Sequence, residues 1–407
     1  MEFLTSITPV EALRLIASFP LKPPKAEDVA LEHALSRVLA ADIIAREDVP
    51  AFARSLVDGY AVKVKETYGA REGAPAFLLV AGEVPVGVAT DKAVRDGQSV
   101  YVATGAMIPE GADGVVMLEH ARRAGDAIEI TRAITRGENI CNRGEDVGEG
   151  QVVLEEGRTL SPFDLGVLAA LGITRVPVYQ RPLVGLISSG DEIVPADHMP
   201  PPGKVRDINA YTVSALVGRQ GCVVRFAGIA ADSVDAIVEK LSDLQGCDLI
   251  LLSGGSSKGM SDFMTAAIGK LGGTILFHGL NIKPGKPTIF ASLGEKPVFG
   301  LPGHPVSCAL VGLRFVLPLV RRMKGERRPP ADWAVTGTLT TNVPSSYGIE
   351  EYVRVRVEGD AQAARVTPIF AKSAVISTLS RADGYVVIPT GTEGLESGDQ
   401  VEVLPLG

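Results

Sequence analysis

The chain is poor in cysteine. Cys141, Cys222, Cys247 and Cys308 are the only four in 407 residues, and no two form a C-x-x-C pair. That scatter excludes a zinc ribbon and a disulfide framework, and it suits a reducing cytosol. The five histidines lack H-x-x-x-H spacing, which removes another common zinc pattern. No long basic run occurs and the net charge is −8, so a nucleic-acid partner held through its phosphates is not expected. The acidic balance reads as an ordinary solvated surface. The longest apolar stretch, Val298 to Val320, is broken by Pro302, His304, Pro305 and Arg314, so no membrane span is expected either. Glu2 stands where a signal peptide carries positive charge. There is no internal repeat and no low-complexity segment.

What is present is the balance of a soluble globular protein, 46% hydrophobic and 22% charged. The length suits roughly two to four domains. Residues 1–45 read as helical. Thr8 is an N-cap with Pro9 in the first turn and Glu11 closing a capping box. "AEDVALEHALSRVLAADI" shows helical spacing through Leu31, Leu35, Val38 and Leu39. From 46 to 145, short β-rich runs (Phe77–Val80, Ser99–Val102, Gly114–Leu118, Ala127–Thr131) alternate with glycine turns. Helix returns over 146–176, where Ser161 caps, Pro162 starts, Asp164 favours the first turn and Gly172 ends the run. The β region is thus expected as an insertion into a helical domain.

Over 177–326, apolar strands alternate with amphipathic helices, the pattern of a doubly wound, mostly parallel α/β sheet. "KGERRPPADW" reads as a linker. The alternating runs of 327–407 predict a small C-terminal β-barrel. The expected class is therefore multidomain α/β plus β.

Ligands of open α/β sheets lie beyond the carboxyl ends of the strands. Three glycine- or proline-rich junctions fall at such ends. One is Ser188-Ser189-Gly190-Asp191-Glu192. A second is Ser253-Gly254-Gly255-Ser256-Ser257-Lys258, with Asp262 just beyond. A third is "NIKPGKPTIF", with Lys283 and Lys286, followed by "FGLPGHPVS". The second junction suits an anion: glycines permit close backbone approach, helix-start N–H groups favour negative charge, and Lys258 adds a cation. Its spacing is not that of a Walker P-loop. The alternative is a plain strand-to-helix turn with a solvent lysine. Asp262 suits a metal bridging phosphate to protein, since Mg²⁺ takes oxygen ligands and shares them with phosphates. The alternative is an acid in the first turn, matched to the helix dipole. His304 caps the last helix, binds a ligand or packs. Asp58-Gly59 is either part of a site or an ordinary hairpin turn.

In order, "RSLVDGYAV", "TGAMIPEGADGVVMLE", "NRGEDV", "ISSGDEIV", "SGGSSKGMSD", "IKPGKP" and "GLPGHPVS" resemble the molybdopterin molybdenumtransferases, the MoeA/gephyrin E-domain family. The resemblance spans essentially the whole chain, including "AKSAVISTLSRADGYVVIP". It implies insertion of molybdate or tungstate into adenylylated molybdopterin, with Mg²⁺-dependent release of AMP. It implies a cytoplasmic homodimer whose cleft lies between the α/β domain of one copy and the β domains of the other. It also implies contact with other proteins of molybdenum-cofactor biosynthesis. By motif, Asp58 faces the cleft, and Glu192 and Asp262 serve metal or hydrolysis. Thr104 and Asp146 line or brace the cleft. Gly254, Gly255, Ser256, Ser257 and Lys258 cradle phosphates, Lys283 and Lys286 hold oxyanions, and Pro302 and Pro305 shape the adjoining loop. A carrier or scaffold without transferase activity is the alternative.

Overall fold

The computed structural model describes residues 6–254, 258–327, 334–360 and 363–406, with side chains of 258–261 not described. The six-stranded central sheet has the order Val223–Ala230, Leu183–Ser189, Leu249–Gly254, Lys296–Leu301, Ile289–Leu293, Thr274–His278. The first four strands are mutually parallel, and the last two each pair antiparallel with their neighbour. The strands are apolar on both faces because both faces are covered. Leu249 and Leu251 join a cluster with the helices Asn209–Arg219 and Pro305–Val311, while Ile250 and Leu252 face the helices Val234–Asp243 and Lys258–Lys270.

The amino-terminal helix Pro9–Ser18 packs on the first of these faces through Ala12 and Ile16. Its capping box is present: Thr8 Oγ1 accepts from the Glu11 N–H at 3.3 Å, and Glu11 Oε2 accepts from the Thr8 N–H at 2.9 Å. Phe19 follows and sets its ring edge against Phe290, centroids 5.4 Å apart. Phe290 also stacks at 4.6 Å on Phe299. Residues 305–323 form three consecutive helical stretches, with a π-type turn at Gly312–Val316 just before Pro318, whose missing N–H cannot continue an α-helical ladder.

The helix expected across 26–43 does not form. Ala26–Ala30 is a strand paired antiparallel with Arg175–Tyr179, and Leu31–His33 is a single 3₁₀ turn. Ser36 takes φ 60°, which ends any helix. Backbone donors here find distant acceptors: Leu39 N–H bonds Arg158 O at 2.9 Å and Ala40 N–H bonds Pro177 O at 3.0 Å. Long-range pairing thus overrides local propensity, and Leu35, assigned to the apolar stripe, is 46% exposed. The second capped helix is present as Pro162–Ala170, with Ser161 and Asp164 in a capping box.

Residues 59–130 supply a second six-stranded sheet, including Gly59–Val62, Ala76–Val84, Gln98–Val102, Gly114–Met117 and Ala127–Ile130. The named strands between Arg54 and Cys141 pair only with one another. Near the carboxyl end, Val335–Leu339, Glu350–Glu358, Arg365–Pro368, Gly384–Ile388 and Gln400–Pro405 close into a five-stranded barrel. The expected linker ends in residues 328–333, which lie outside the described ones; its start is not free, because Lys324 is buried and its ammonium lies 3.6 Å from Glu326 Oε2.

Candidate active site at the strand ends

The three junctions share one sheet edge because their strands end in register. Ser189 lies opposite Gly254, and Ser253 opposite Leu301. The backbones approach closely there. A Cβ on Gly254 would overlap both Ser189 Oγ and the Ser189 carbonyl oxygen, so only glycine fits. Beneath, Ser188 Oγ and Ser253 Oγ lie 3.5 Å apart in the core, and Ser189 Oγ is buried without a partner. Gly255, Ser256, Ser257 and the side chain of Lys258 fall outside the described residues. The helix after them starts at Lys258, and its first backbone N–H groups have no partner within the helix.

Gly190 has φ 145°, and a Cβ there would stand 2.6 Å from Glu192 Oε2. The Glu192 carboxylate therefore folds back over the end of its own strand. Asp191 beside it accepts the Asp232 N–H at 3.1 Å. Burial, then the charges of Asp191 and Glu192, push the Asp232 carboxyl above its ordinary range. Asp232 follows the neighbouring parallel strand Val223–Ala230 and was not singled out in the sequence, where nothing local marks it. Asp262 is exposed in the helix after Gly254, near His278. Burial lowers the His278 pKa, the Asp262 charge opposes this, and His278 Nε2 is buried without a partner. His278 ends the strand Thr274–His278 at the same sheet edge; a lone histidine before a glycine gave no signal in the sequence.

Lys283, Lys286, Pro302 and His304 line one cavity of about 390 Å³, together with Ser307 and Ser373. His304 occupies the N-cap position of the helix, but its side chain makes no capping bond; its Nδ1 lies 2.9 Å from Ser373 Oγ. Pro305 is the first residue of that helix and is buried, and it is not among the residues lining the cavity. Asn209 Nδ2 holds the Gly303 carbonyl at 2.9 Å, fixing the loop from below. Lys283 also lines an adjacent cavity of about 360 Å³ with Glu351, Arg354, Lys372 and Ser373, all from the carboxyl-terminal part of the chain. Sequence reasoning placed no site residue there. Ser373 lies within the "AKSAVISTLS" block that carries part of the family resemblance, and that was the available signal.

Asp58 and Thr104 are brought together in the second sheet region. Asp58 Oδ1 accepts from the Thr104 N–H at 2.6 Å and from its hydroxyl at 3.0 Å. These bonds, the backbone N–H first, hold the Asp58 carboxyl below its ordinary range. Asp58-Gly59 does not turn a hairpin; Gly59 opens a strand, and a Cβ there would overlap the Val116 carbonyl. Asp146 is exposed, and its N–H bonds Val49 O at 3.1 Å. The loop around it is braced by Asp48, which accepts from Arg143 Nε at 2.7 Å and from the Glu149 N–H at 2.9 Å.

Among the described residues, no group of three or more histidine, cysteine or acidic side chains is arranged to hold a metal. No helix among them is long and apolar enough to cross a membrane.

Comparison with known proteins agrees along the chain. Residues 7–172 match the MoeA N-terminal region (domain I and II), 185–322 match the "Probable molybdopterin binding domain", and 336–406 match the MoeA C-terminal region (domain IV). The chain is 33% identical over 410 residues to the molybdopterin molybdenumtransferase of Bacillus subtilis, covering 99% of this chain and 95% of that protein. It is 30% identical over 398 residues to that of Staphylococcus aureus, covering 97% and 94%. The crystal structure of the molybdopterin biosynthesis MoeA protein from Pyrococcus horikoshii superposes with a TM-score of 0.86 at 33% identity, covering 98% of this chain and all of the other. In sequence and in fold, the chain belongs to the MoeA family of molybdopterin molybdenumtransferases, the transferases of molybdenum-cofactor biosynthesis.

Proposed function

We propose that this protein inserts molybdate into adenylylated molybdopterin and releases AMP. The observation that carries the reading is the shared cavity of Lys283, Lys286, Pro302 and His304. It adjoins the edge where the strands Leu183–Ser189, Leu249–Gly254 and Lys296–Leu301 end in register. One substrate carries a pyrophosphate link and the other is a tetrahedral dianion. Both call for cations and fixed N–H donors, and neither calls for a nucleophilic cysteine: Cys222 and Cys308 are buried, and burial pushes the Cys222 thiol up to about 12.

In this reading, backbone N–H groups at the start of the Lys258–Lys270 helix receive phosphate oxygens. Gly254 lets them approach because it carries no side chain. Lys283 and Lys286 hold the oxyanion as point charges. Glu192 and Asp262 would supply two hard oxygen ligands suited to Mg²⁺, an ion often bound through only one or two carboxylates, and the charge of Asp232 near Glu192 would add to the field that draws it. The negative crowding that raises Asp232 is itself an environment that favours a cation. Bound Mg²⁺ would stabilise the charge that develops as the phosphate link breaks. Gly255, Ser256, Ser257 and Lys258 extend the phosphate cradle, and Pro302 and Pro305 limit the motion of the loop beside the lysines.

Asp58 and Thr104 enter from the second sheet region. We place them at the cleft of a partner copy in a homodimer, together with Asp146 on the loop that Asp48 braces. The protein acts in the cytoplasm, beside other proteins of the same biosynthesis. Purified protein given adenylylated molybdopterin, Mg²⁺ and molybdate is expected to release AMP. Asp262→Ala is expected to abolish release while retaining the fold; normal turnover in that variant would remove Asp262 from the site. Sedimentation at micromolar concentration is expected to show a dimer, and a monomer would contradict the shared cleft.

A further inference from the structure

Two cavities meet at Lys283, and among the described residues Glu351 is the only carboxylate lining either of them. Its position is fixed by strand register: Ile282–Lys283 pairs parallel with Glu350–Glu351, placing Lys283 beside Glu351. Lys283 Nζ lies 2.9 Å from Glu351 Oε1. The other oxygen, Oε2, accepts from Ser345 Oγ at 3.0 Å. The lysine side chain is 58% exposed and the glutamate 13%, so the acid is built into the wall and the lysine reaches across to it. The same cavity is lined by Arg354, a buried guanidinium whose Nη2 donates to the carbonyl of Ala371 at 2.8 Å and whose Nε has no partner. Burial lowers the Arg354 pKa and the Glu351 charge opposes this. Glu351 thus serves as the resident counter-anion of Lys283 at the cavity wall.

We propose that Glu351 sets the affinity and the charge selectivity of the oxyanion site by competing with the incoming anion for Lys283. The inference rests on the reading of Lys283 and Lys286 as oxyanion ligands. An anion that reaches Lys283 must displace the carboxylate from the ammonium and then sit beside it. The repulsion scales with the charge of the anion and is poorly screened beside a partly buried carboxylate. A dianion is therefore penalised more than a monoanion of the same shape. The consequence is a hold loose enough for transfer. A site of cations alone would retain any tetrahedral dianion, and tight binding that is equal before and during the reaction does not speed it.

Molybdate and perrhenate provide the test, since both are tetrahedral and they differ by one charge. Their binding to the full chain is measured by equilibrium dialysis at fixed ionic strength, for wild type, Lys283→Met, Glu351→Gln and Glu351→Asp. Lys283→Met is expected to weaken molybdate binding by about tenfold or more. Glu351→Gln is expected to tighten molybdate by about tenfold and perrhenate by about threefold, because the logarithm of the effect follows ligand charge. Glu351→Asp keeps the charge and is expected to stay within about twofold of wild type. If Glu351→Gln unfolds early in a thermal melt, Glu351→Ala removes the same charge and serves instead. Weakened binding in Lys283→Met, with no tightening or an equal change for both anions in the neutral Glu351 variant, overturns the role of Glu351 and leaves the oxyanion site standing. Unchanged binding in Lys283→Met overturns the oxyanion site itself, and this inference with it.

Discussion

A single oxygen of Asp58 accepts two hydrogen bonds from Thr104, 2.6 Å from its backbone N–H and 3.0 Å from its hydroxyl. The main-chain bond is the larger cause of the lowered Asp58 pKa. A lowered carboxylate pKa contributes stability above the unfolded value, and that contribution is lost as pH falls through the folded value. Thr104→Val keeps the N–H and removes the hydroxyl. Its Asp58 pKa, read by NMR titration, is expected to rise part of the way towards 3.8, with little change in melting temperature at pH 7. Asp58→Asn, by contrast, is expected to lose roughly a hundredfold or more in AMP release if Asp58 moves a proton in the cleft. Loss of the fold in Asp58→Asn would reassign the residue to structure.

Gly254→Ala tests the close approach of two strand ends. The new methyl would overlap both the hydroxyl and the carbonyl oxygen of Ser189. The expected cost is about 1–3 kcal/mol in chemical denaturation. Adding Ser189→Ala removes the hydroxyl and leaves the carbonyl, so the double variant should recover only part of that loss. Full recovery would show that the backbone has room to move.

Lys286 lines the cavity beside Lys283. A hydrogen bond to a charged group is worth about 1.5–3 kcal/mol, equivalent to roughly ten- to hundredfold in binding. Lys286→Met is expected to raise KM for molybdate by that factor while changing kcat little. A fall in kcat at unchanged KM would place Lys286 on the pterin phosphates.

Asp232 is raised by burial and by its acidic neighbours. As pH climbs above the ordinary carboxylate value of 3.8, the unfolded chain ionises more readily than the folded one, and stability falls until the raised folded value is passed. Asp232→Asn removes that loss. It is expected to be at least as stable as wild type at pH 7, yet slower in AMP release if Asp232 contributes to holding the cation. Lower stability at neutral pH together with unchanged turnover would contradict both halves of this account.

Much of the fold is written locally. Thr8 with Glu11, and Ser161 with Asp164, form capping boxes from residues three apart, and both helices start where those residues place them. The apolar runs ending at Ser189, Gly254 and Leu301 are strands because both faces of the sheet are covered. The stretch 26–43 misleads because its backbone partners lie at Arg158 and Arg175–Tyr179, far along the chain, while the spacing of its leucines fits a helix equally well. The site divides the same way. Lys283, Lys286 and Pro302 announce themselves by turn chemistry. Glu351 and Arg354 do not, because strand register in the carboxyl-terminal barrel, and no local motif, brings them to the cavity, while Ser373 is marked only by the block in which it lies.

The account stands on transfer at the strand-end rim, and the most direct measurement counts two products together. Purified protein is supplied with adenylylated molybdopterin, Mg²⁺ and molybdate, and released AMP is quantified against molybdenum bound to the pterin. The account predicts that both appear in equal amounts and that neither appears when Mg²⁺ or molybdate is left out. Tight retention of the pterin with no AMP under any divalent metal would contradict it and would make the chain a carrier.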